Sequence, residues 1–505
     1  MTPIIYLNAQ GLFLLLAYQY LWGLIIQLQE LLNIFYTKFN KRLLNTADND
    51  TISSLANKRI QPLKHDLLNS SPKEVLTKMS IPSGLGILSL LFFNLADTYF
   101  VSLLGTNQLA ALSFTFPVTF IFMSILIGLG TGLSSSLARL IGKGGKDNIA
   151  AYTINGLLLG FLLTLVLSSI GHLTITPLFN LLGAESVLIP YIKQYLSVWY
   201  IAVLFLVVPL MGNSALRATG NTKFPSLVMA VAGLINVILD PLFIFGWGVV
   251  PAMGIQGAAV ATMISWALSM AASVILLRRS QLVAKFPFSW AYTRSVWRKI
   301  LRIGRPAALS QVVNPIGNAI LMSMLAAYES AAVAAFGVGI RIESLMLIAV
   351  TALSSSLTPF IAQNLGAGHT TRARNALLGS AKFSIVCQFV CYIIVAMLAK
   401  PIATLFSDDP YVIQYIVVFL RIVPFAYGAL GIVIIFANGL NAYNRPGSSL
   451  LLNLARLFLI LLPMAWLGSE LLGPTGIFAA IAIANILIGG ASYLLATQIS
   501  EGKEV

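Results

Sequence analysis

Two aspartates within long apolar stretches are the residues of this sequence best placed to do chemistry. Asp97 lies within LLFFNLADTYFVSLLG, residues 90–105, and Asp240 lies within LINVILDPLFIFG, residues 234–246. An ionised carboxylate at the centre of a bilayer costs at least about 2.5 kcal/mol, so such a group is protonated or faces protein groups or water. Neither stretch offers a cationic partner. Both acids are therefore candidates for binding a proton or a small cation.

The neighbours of Asp240 support this interpretation. Asn236 precedes Asp240 by one helical turn, so the two side chains share a helix face. Pro241 has no backbone N–H and leaves a carbonyl oxygen free one turn earlier. Together with Asp97, these groups predict an oxygen-rich pocket for a proton or a bare Na+. The alternative for each acid is a structural carboxyl group, which at Asp240 would be an acid near the helix end capped by water.

Weaker polar signals lie in the second half of the chain. Gln311, Asn314 and Asn318 follow one another at helical spacing and form a polar stripe. This stripe either faces a cavity of the second half or supplies hydrogen bonds between helices. Arg341 and Glu343 are two residues apart and do not face each other on a helix, so each belongs to a gate or to a structural brace with other helices.

The composition predicts the elements that must position these residues. The chain has 505 residues, of which 58% are hydrophobic and 9% are charged, whereas about 25% of the residues of a soluble domain are charged. A membrane-spanning helix needs about 20 apolar residues, and continuous apolarity without alternation argues against an outer-membrane barrel. The sequence therefore predicts an all-α polytopic membrane protein. Its twelve predicted spans are residues 81–104, 110–134, 150–171, 190–212, 224–246, 254–277, 301–327, 332–362, 377–399, 411–437, 447–468 and 473–497.

The loops between these spans predict the orientation. Basic residues collect in alternate loops, so both ends of the twelve-helix core are expected on the cytoplasmic side of the cell inner membrane, with a cytoplasmic C-terminus. The net charge of +15 then needs no nucleic acid as a partner. Arg456 is expected near the cytoplasmic end of its span, with its side chain reaching the membrane surface.

The segment before the first span is less regular. Residues 3–35 are apolar but interrupted by polar side chains, and they form either an extra membrane helix or a helix on the bilayer surface. The predicted organisation is an N-terminal extension at 1–75, consisting of this helix and a polar linker. It is followed by an N-lobe at 76–279, a cytoplasmic loop at 280–300, a C-lobe at 301–498 and a tail at 499–505.

The two lobes are predicted to be repeats of one another. Matching residues recur about 224 or 222 positions apart, as the following pairs show: Pro82 and Pro306, Asn94 and Asn318, Pro241 and Pro463, Gly254 and Gly476. Six spans in each half make the two repeats parallel, related by an axis along the membrane normal. This architecture is typical of transporters that alternate access to a central cavity.

The repeat also shows where the halves differ. At the same offsets, Asp97 corresponds to Leu321 and Asp240 corresponds to Leu462. The scaffold itself therefore does not require an acid at either position, which weakens the structural interpretation of both carboxylates.

Other classes of function lack the residues they would need. No phosphate-binding loop of the type G-x-x-x-x-G-K-[ST] is present, and the three histidines fall in loops or tails. Cys387 and Cys391 are too few for a disulfide framework. We therefore predict that the chain is not an enzyme and has no cofactor apart from a coupling ion.

Four ordered motifs resemble the multidrug and toxic compound extrusion (MATE) family, prokaryotic type, over residues 75–498. They are NLADTYFVSLLGTNQLAAL, NSALRATGNT, NVILDPLFIFG followed by MGIQGAAVAT, and LTPFIAQNLGAGHTTRAR. The resemblance implies a V-shaped pair of six-helix lobes that exports drugs or toxic organic compounds, often cationic, in exchange for Na+ or H+. It also implies a coupling site in the N-lobe, at Asp97, Asn213, Asn236, Asp240 and Thr262.

Two further expectations follow from the resemblance. Some family members carry a glutamate in the seventh helix where this sequence has Asn314, so cation coupling is expected in the N-lobe rather than in the C-lobe. We predict a monomer in the lipid bilayer. The alternative function is a flippase for lipid-linked glycans, which belongs to the same superfamily and would need a strongly basic central cavity.

Overall fold

The computed structural model describes residues 67–145, 148–248, 250–284 and 289–498. The predicted hydrophobic helix at 3–35, most of the linker and the C-terminal tail lie outside this part of the chain. The described residues form fifteen α-helices, together with a short 3-10 turn at Pro424–Ala426 and a π-helical segment at Ala455–Leu461. The helices are α1 (Pro72–Ser102), α2 (Thr106–Gly142), α3 (Ile149–Leu181), α4 (Ile189–Ala218), α5 (Lys223–Phe245), α6 (Ile255–Arg279), α7 (Trp290–Ala326), α8 (Ser330–Met346), α9 (Ile348–Gly366), α10 (Thr370–Met397), α11 (Ala399–Thr404), α12 (Pro410–Ile422), α13 (Tyr427–Ala442), α14 (Pro446–Leu454) and α15 (Leu462–Gln498).

The helices account for the predicted membrane spans. Within the described residues, ten helical runs are long and apolar enough to cross a membrane, and α8 with α9, bent by 48°, forms an eleventh span. The last run, Pro446–Gln498, has 53 residues, about twice what a bilayer requires. It is broken at Gly473, where the backbone leaves helical geometry (φ 59°, ψ −141°). Counting this run as two spans gives twelve, and the prediction of an all-α polytopic fold is confirmed.

Glycines with the same unusual backbone conformation mark the last loop of each half. Gly254 has φ 57° and ψ −138°, nearly the same angles as Gly473, and both values of φ are ones that L side chains rarely adopt. Three residues after each of them, a second glycine, Gly257 or Gly476, passes so close to a backbone carbonyl that a Cβ would clash. The structural counterpart of Gly254 is therefore Gly473, and the pairing of Gly254 with Gly476 expected from the sequence was wrong by three residues.

The loop predicted at 280–300 is shorter in the structure. Helix α7 begins at Trp290, because Thr293, Val296 and Ile300 recur on one face and are buried. The Thr293 hydroxyl donates to Asn155 Oδ1 on α3 at 2.6 Å. This contact fixes the start of the second half against the first.

The two halves meet closely at the end of the bundle where basic residues collect. We call it the basic end and define it by Arg139 and Lys143 at the end of α2, Arg217 at the end of α4, and Arg372 on α10. There, Arg139 Nη2 donates to the carbonyl oxygen of Ala442 at 2.7 Å. The Ser135 hydroxyl donates to the carbonyl oxygen of Asn441 at 3.1 Å.

Glycines allow the backbones of α2 and α9 to touch at this end. A Cβ at Gly142 would clash with the carbonyl oxygen of Gln363, and a Cβ at Gly366 would clash with that of Arg139. Towards the opposite end of α2, Phe116 and Ile121 are 47% and 49% exposed. The halves are therefore closed against each other at the basic end, whereas α2 carries exposed apolar side chains towards its other end.

Candidate functional site

The first half encloses a cavity of about 190 Å³ between α1, α2, α4, α5 and α6. Its walls combine polar side chains with the aromatic rings of Phe116, Trp199 and Trp266. Of the residues predicted from the sequence to bind the coupling ion, four line it: Asp97, Asn213, Asn236 and Thr262. The fold therefore brings together, from four different helices, residues that are up to 165 positions apart in the chain.

Asp240 joins this group through Asn236. With the amide nitrogen of Asn236 facing the carboxylate, Nδ2 donates to Asp240 Oδ2 at 2.9 Å, and the Asn236 Oδ1 accepts from the Thr262 backbone N–H at 3.2 Å. Asp240 is fully buried, and Asn236 and Thr262 are nearly so. The predicted one-turn spacing on α5 thus places an amide directly against a carboxylate, and α6 holds that amide in place.

Asp97 approaches the same group from α1. It is 9% exposed, and it lies near enough to Asp240 for their charges to interact. Its Oδ1 atom and both amide atoms of Asn213 are buried without a hydrogen-bond partner in the structure. Buried polar groups normally have partners. The two unpartnered oxygen atoms, on Asp97 and Asn213, therefore mark a place where a proton or cation would complete the bonding.

The donor set fits a small hard cation as well as a proton. No three His, Cys, Asp or Glu side chains converge anywhere in the described residues, so a Na+ here would be bound by two carboxylates with amide and hydroxyl oxygens. Oxygen donors of this kind suit hard cations. The same carboxylates accept a proton, and the geometry serves either ion.

Sequence reasoning missed Tyr195 on α4. Its side chain is 6% exposed, lines the cavity and lies near both Asp97 and Asp240. A single tyrosine in an apolar helix gives no signal of its own. Only the packing of α4 against α6 and α2 brings its hydroxyl group to the acids.

The polar residues singled out in the second half differ from one another in exposure and in neighbours. Gln311 and Arg341 are exposed, and Asn318 is half-buried. Glu343 points towards the buried Tyr427 and lies near Arg456. Arg341 and Glu343 do not pair with each other, as their spacing predicted.

Asn314 has a partner that the sequence did not indicate. Arg456 Nη2 donates to Asn314 Oδ1 at 2.5 Å, and Arg456 Nη1 donates to Asn485 Oδ1 at 2.8 Å. The expectation that Arg456 extends to the membrane surface was therefore wrong. The guanidinium turns inward because two amide oxygens on neighbouring helices are within reach.

Twelve spans in two repeated halves, with a buried acidic site in one of them, define a membrane transporter of the two-lobed, alternating-access class. A family model for MatE matches residues 82–242 and 306–467. The two matches begin 224 residues apart, which is the offset found between the sequence repeats. The chain belongs to the MATE family of efflux transporters.

This chain matches individual relatives over nearly their whole lengths. A protein of Shewanella oneidensis named "FAD transporter" is 49% identical over 439 residues, 87% of this chain and 97% of its own. The multidrug export protein MepA of Staphylococcus haemolyticus is 24% identical over 420 residues, 82% of this chain and 91% of its own. A crystal structure of a mutant of the Vibrio cholerae MATE transporter VcmN is 30% identical with a TM-score of 0.81, covering 85% of this chain and 96% of that one.

Proposed function

We propose that this chain is a secondary active exporter in which the acidic cavity of the first half binds the coupling ion, Na+ or H+. The observation that carries this proposal is the set of buried, unpartnered oxygen and nitrogen atoms on Asp97 and Asn213, beside the Asn236–Asp240 pair. Binding a cation there removes the repulsion between two carboxylates and thereby favours the conformation in which they lie close. Binding of the cation and release of the substrate then alternate.

Flavin adenine dinucleotide is the substrate that we propose first. The relative named "FAD transporter" is 49% identical along 97% of its length, whereas the relatives named as multidrug exporters are 23–27% identical. Efflux of organic cations is the second candidate, supported by the names of those more distant relatives. A dinucleotide carries two phosphates, so the two candidates differ in charge and can be separated experimentally.

The basic end is proposed to face the cytoplasm. Short loops rich in Lys and Arg remain on the cytoplasmic side of bacterial membranes, which supports an inner-membrane protein with a cytoplasmic C-terminus. The structure, closed at the basic end, then corresponds to the outward-facing state of a monomer.

The test uses proteoliposomes containing the purified full chain, loaded with either FAD or ethidium. A Na+ gradient and a pH gradient are imposed separately, and the release of each fluorescent compound is followed. We expect one gradient to drive FAD movement at several times the rate of liposomes without protein. Ethidium movement without FAD movement would select the second candidate, and gradient-independent movement of both would refute coupling.

A further inference from the structure

A cluster of polar groups in the second half is not used by the cation site. We call it the Arg456 cluster and define it as Arg456, Asn314, Asn485, Glu343 and Tyr427. Arg456 lies in the π-helical segment Ala455–Leu461, a distortion that frequently occurs at functional sites. Gly317 on α7 lets this segment approach, since a Cβ there would press on Leu457. The approach brings Arg456 to Asn314.

The positive charge of Arg456 is only partly compensated. Its two hydrogen bonds, at 2.5 and 2.8 Å, go to neutral amide oxygens. In the described part of the chain, the single ion pair within 4.0 Å is Lys78 with Glu74, so no carboxylate of those residues touches the guanidinium. The Nε atom of Arg456 is buried without a partner. Glu343 lies near Tyr427, and its charge acts on the guanidinium without touching it.

The cluster reaches an exposed polar face of α7. Helix α7 has two exposed faces, and one carries Leu309 and Ile316, which are 57% and 45% exposed. The other carries the exposed polar side chains Gln311 and Asn314. Apolar faces suit lipid, and polar ones at this depth face water-filled space. Asn314 therefore brings one edge of the Arg456 guanidinium to this polar face.

The two halves of the repeat differ in the charged residues at their polar centres. The first half has Asp97 and Asp240 where the second has Leu321 and Leu462. The second half has Arg456 where the first, at the offset of 224, has Ala232.

We propose that Arg456, positioned by Asn314 and Asn485, binds an anionic group of the transported molecule, a phosphate in the first instance. Guanidinium groups bind phosphate oxygens through two parallel N–H bonds, and Arg456 has an unpaired N–H together with only partly compensated charge. That the bound molecule is also transported rests on the proposed function. The binding site itself does not, because it is testable without any gradient.

The test measures equilibrium binding of three flavins to the full chain in nanodiscs made of uncharged lipid. FAD, FMN and riboflavin share one ring system, and the first two carry phosphate whereas riboflavin does not. A charge-assisted hydrogen bond contributes about tenfold or more in affinity. We expect the wild type to bind FAD and FMN at least about tenfold more tightly than riboflavin.

Two variants and one control test whether the Arg456 cluster causes the preference for phosphate-bearing flavins. Arg456→Gln should lower FAD affinity to that of riboflavin without changing riboflavin binding. Asn314→Asp, which places a carboxylate against Arg456 and should not disturb folding, is expected to do the same. Arg298→Gln removes an exposed arginine from the same helix as Asn314 and should bind all three flavins as the wild type does.

Several results would overturn the site. The wild type could bind FAD and riboflavin with equal affinity, or it could bind no flavin. Folded Arg456→Gln or Asn314→Asp could also bind FAD as tightly as the wild type does. Adding anionic lipid to the nanodiscs should not displace FAD, and displacement would assign the cluster to a lipid headgroup instead. Flavin binding without gradient-driven transport would refute the proposed function alone.

Discussion

The amide nitrogen of Asn236 lies 2.9 Å from Oδ2 of Asp240, one helical turn away on α5. The same amide accepts from the backbone of Thr262, so α5 and α6 are joined through the side chain that touches the acid. A change of charge on Asp240 alters this hydrogen bond and thereby the relative position of α5 and α6. Binding of an ion at the cavity is in this way connected to the position of whole helices.

Replacing Asp97 tests the cation site directly. Asp97→Asn keeps the size of the side chain but removes the charge that a cation would bind, so gradient-driven export should fall to the level of empty vesicles. Membrane insertion and thermal stability should be retained, since Asp97 Oδ1 has no partner to lose. Export is measured as FAD and ethidium release from proteoliposomes.

The matched control is Glu74→Gln on the same helix. Glu74 pairs with Lys78 at 2.6 Å, and both side chains are about half exposed. A surface pair of this kind contributes about 0–1 kcal/mol, so this variant should export normally. Export by Asp97→Asn at the wild-type rate would remove Asp97 from the mechanism.

Thr262 distinguishes the two coupling ions. Its hydroxyl lies 3.3 Å from the Asn236 side chain, close to the carboxylates, and a Na+ would need such an oxygen whereas a proton would not. Under a Na+ gradient, Thr262→Val should lower the initial rate about tenfold, as expected for one lost ligand worth about 1.4 kcal/mol, while Thr262→Ser should behave as the wild type. If both variants match the wild type under the gradient that drives transport, the ion is a proton.

Tyr195 is expected to assist the acids through its hydroxyl group. Tyr195→Phe should weaken the response to the coupling ion several-fold, seen as a higher Na+ concentration or lower pH at half-maximal export. Tyr200 is a control one and a half turns further along α4, with a buried hydroxyl that has no partner. Tyr200→Phe should leave export unchanged and should not lower stability. Equal effects of the two substitutions would argue against a specific role for Tyr195.

The closed basic end can be opened by a single methyl group. Gly142→Ala places a Cβ against the Gln363 carbonyl oxygen across the two halves, whereas Gly379→Ala, also in a helix, meets nothing within 4 Å. In a background without Cys387 and Cys391, a cysteine introduced as Ser135→Cys reports access from the basic end. We expect Gly142→Ala, and not Gly379→Ala, to speed labelling of this cysteine several-fold by a water-soluble thiol reagent.

That outcome would show that backbone contact keeps the halves together at this end. Unchanged labelling, with both variants stable, would show that the hydrogen bond from Arg139 to the carbonyl oxygen of Ala442 suffices to hold it closed. The thermal unfolding of Gly379→Ala serves as the reference, because alanine in a helix is favoured over glycine by about 0.5–1 kcal/mol.

The sequence predicted most of the fold because membrane spans depend on local composition alone. The repeat and the two acids could also be predicted from the sequence, since a carboxylate is unusual among apolar residues. The corresponding residue in the other half is a leucine in both cases, so the fold does not require an acid there. The start of α7 at Trp290 was not predicted, because that turn of the helix is amphipathic rather than apolar and is held by Asn155. Tyr195 and the inward turn of Arg456 depend on contacts between distant helices, which no local pattern encodes.

The two halves repeat one backbone but not its charged side chains. Its halves share the same spans and the same glycine turn at Gly254 and Gly473, yet Asp97, Asp240 and Arg456 have no charged counterpart across the duplication. A chain assembled from two first halves would hold two acidic cavities, and one assembled from two second halves would hold none. The repeated backbone therefore carries different charged side chains in its two lobes, and Asp97, Asp240 and Arg456 are the ones to exchange in such chimaeras.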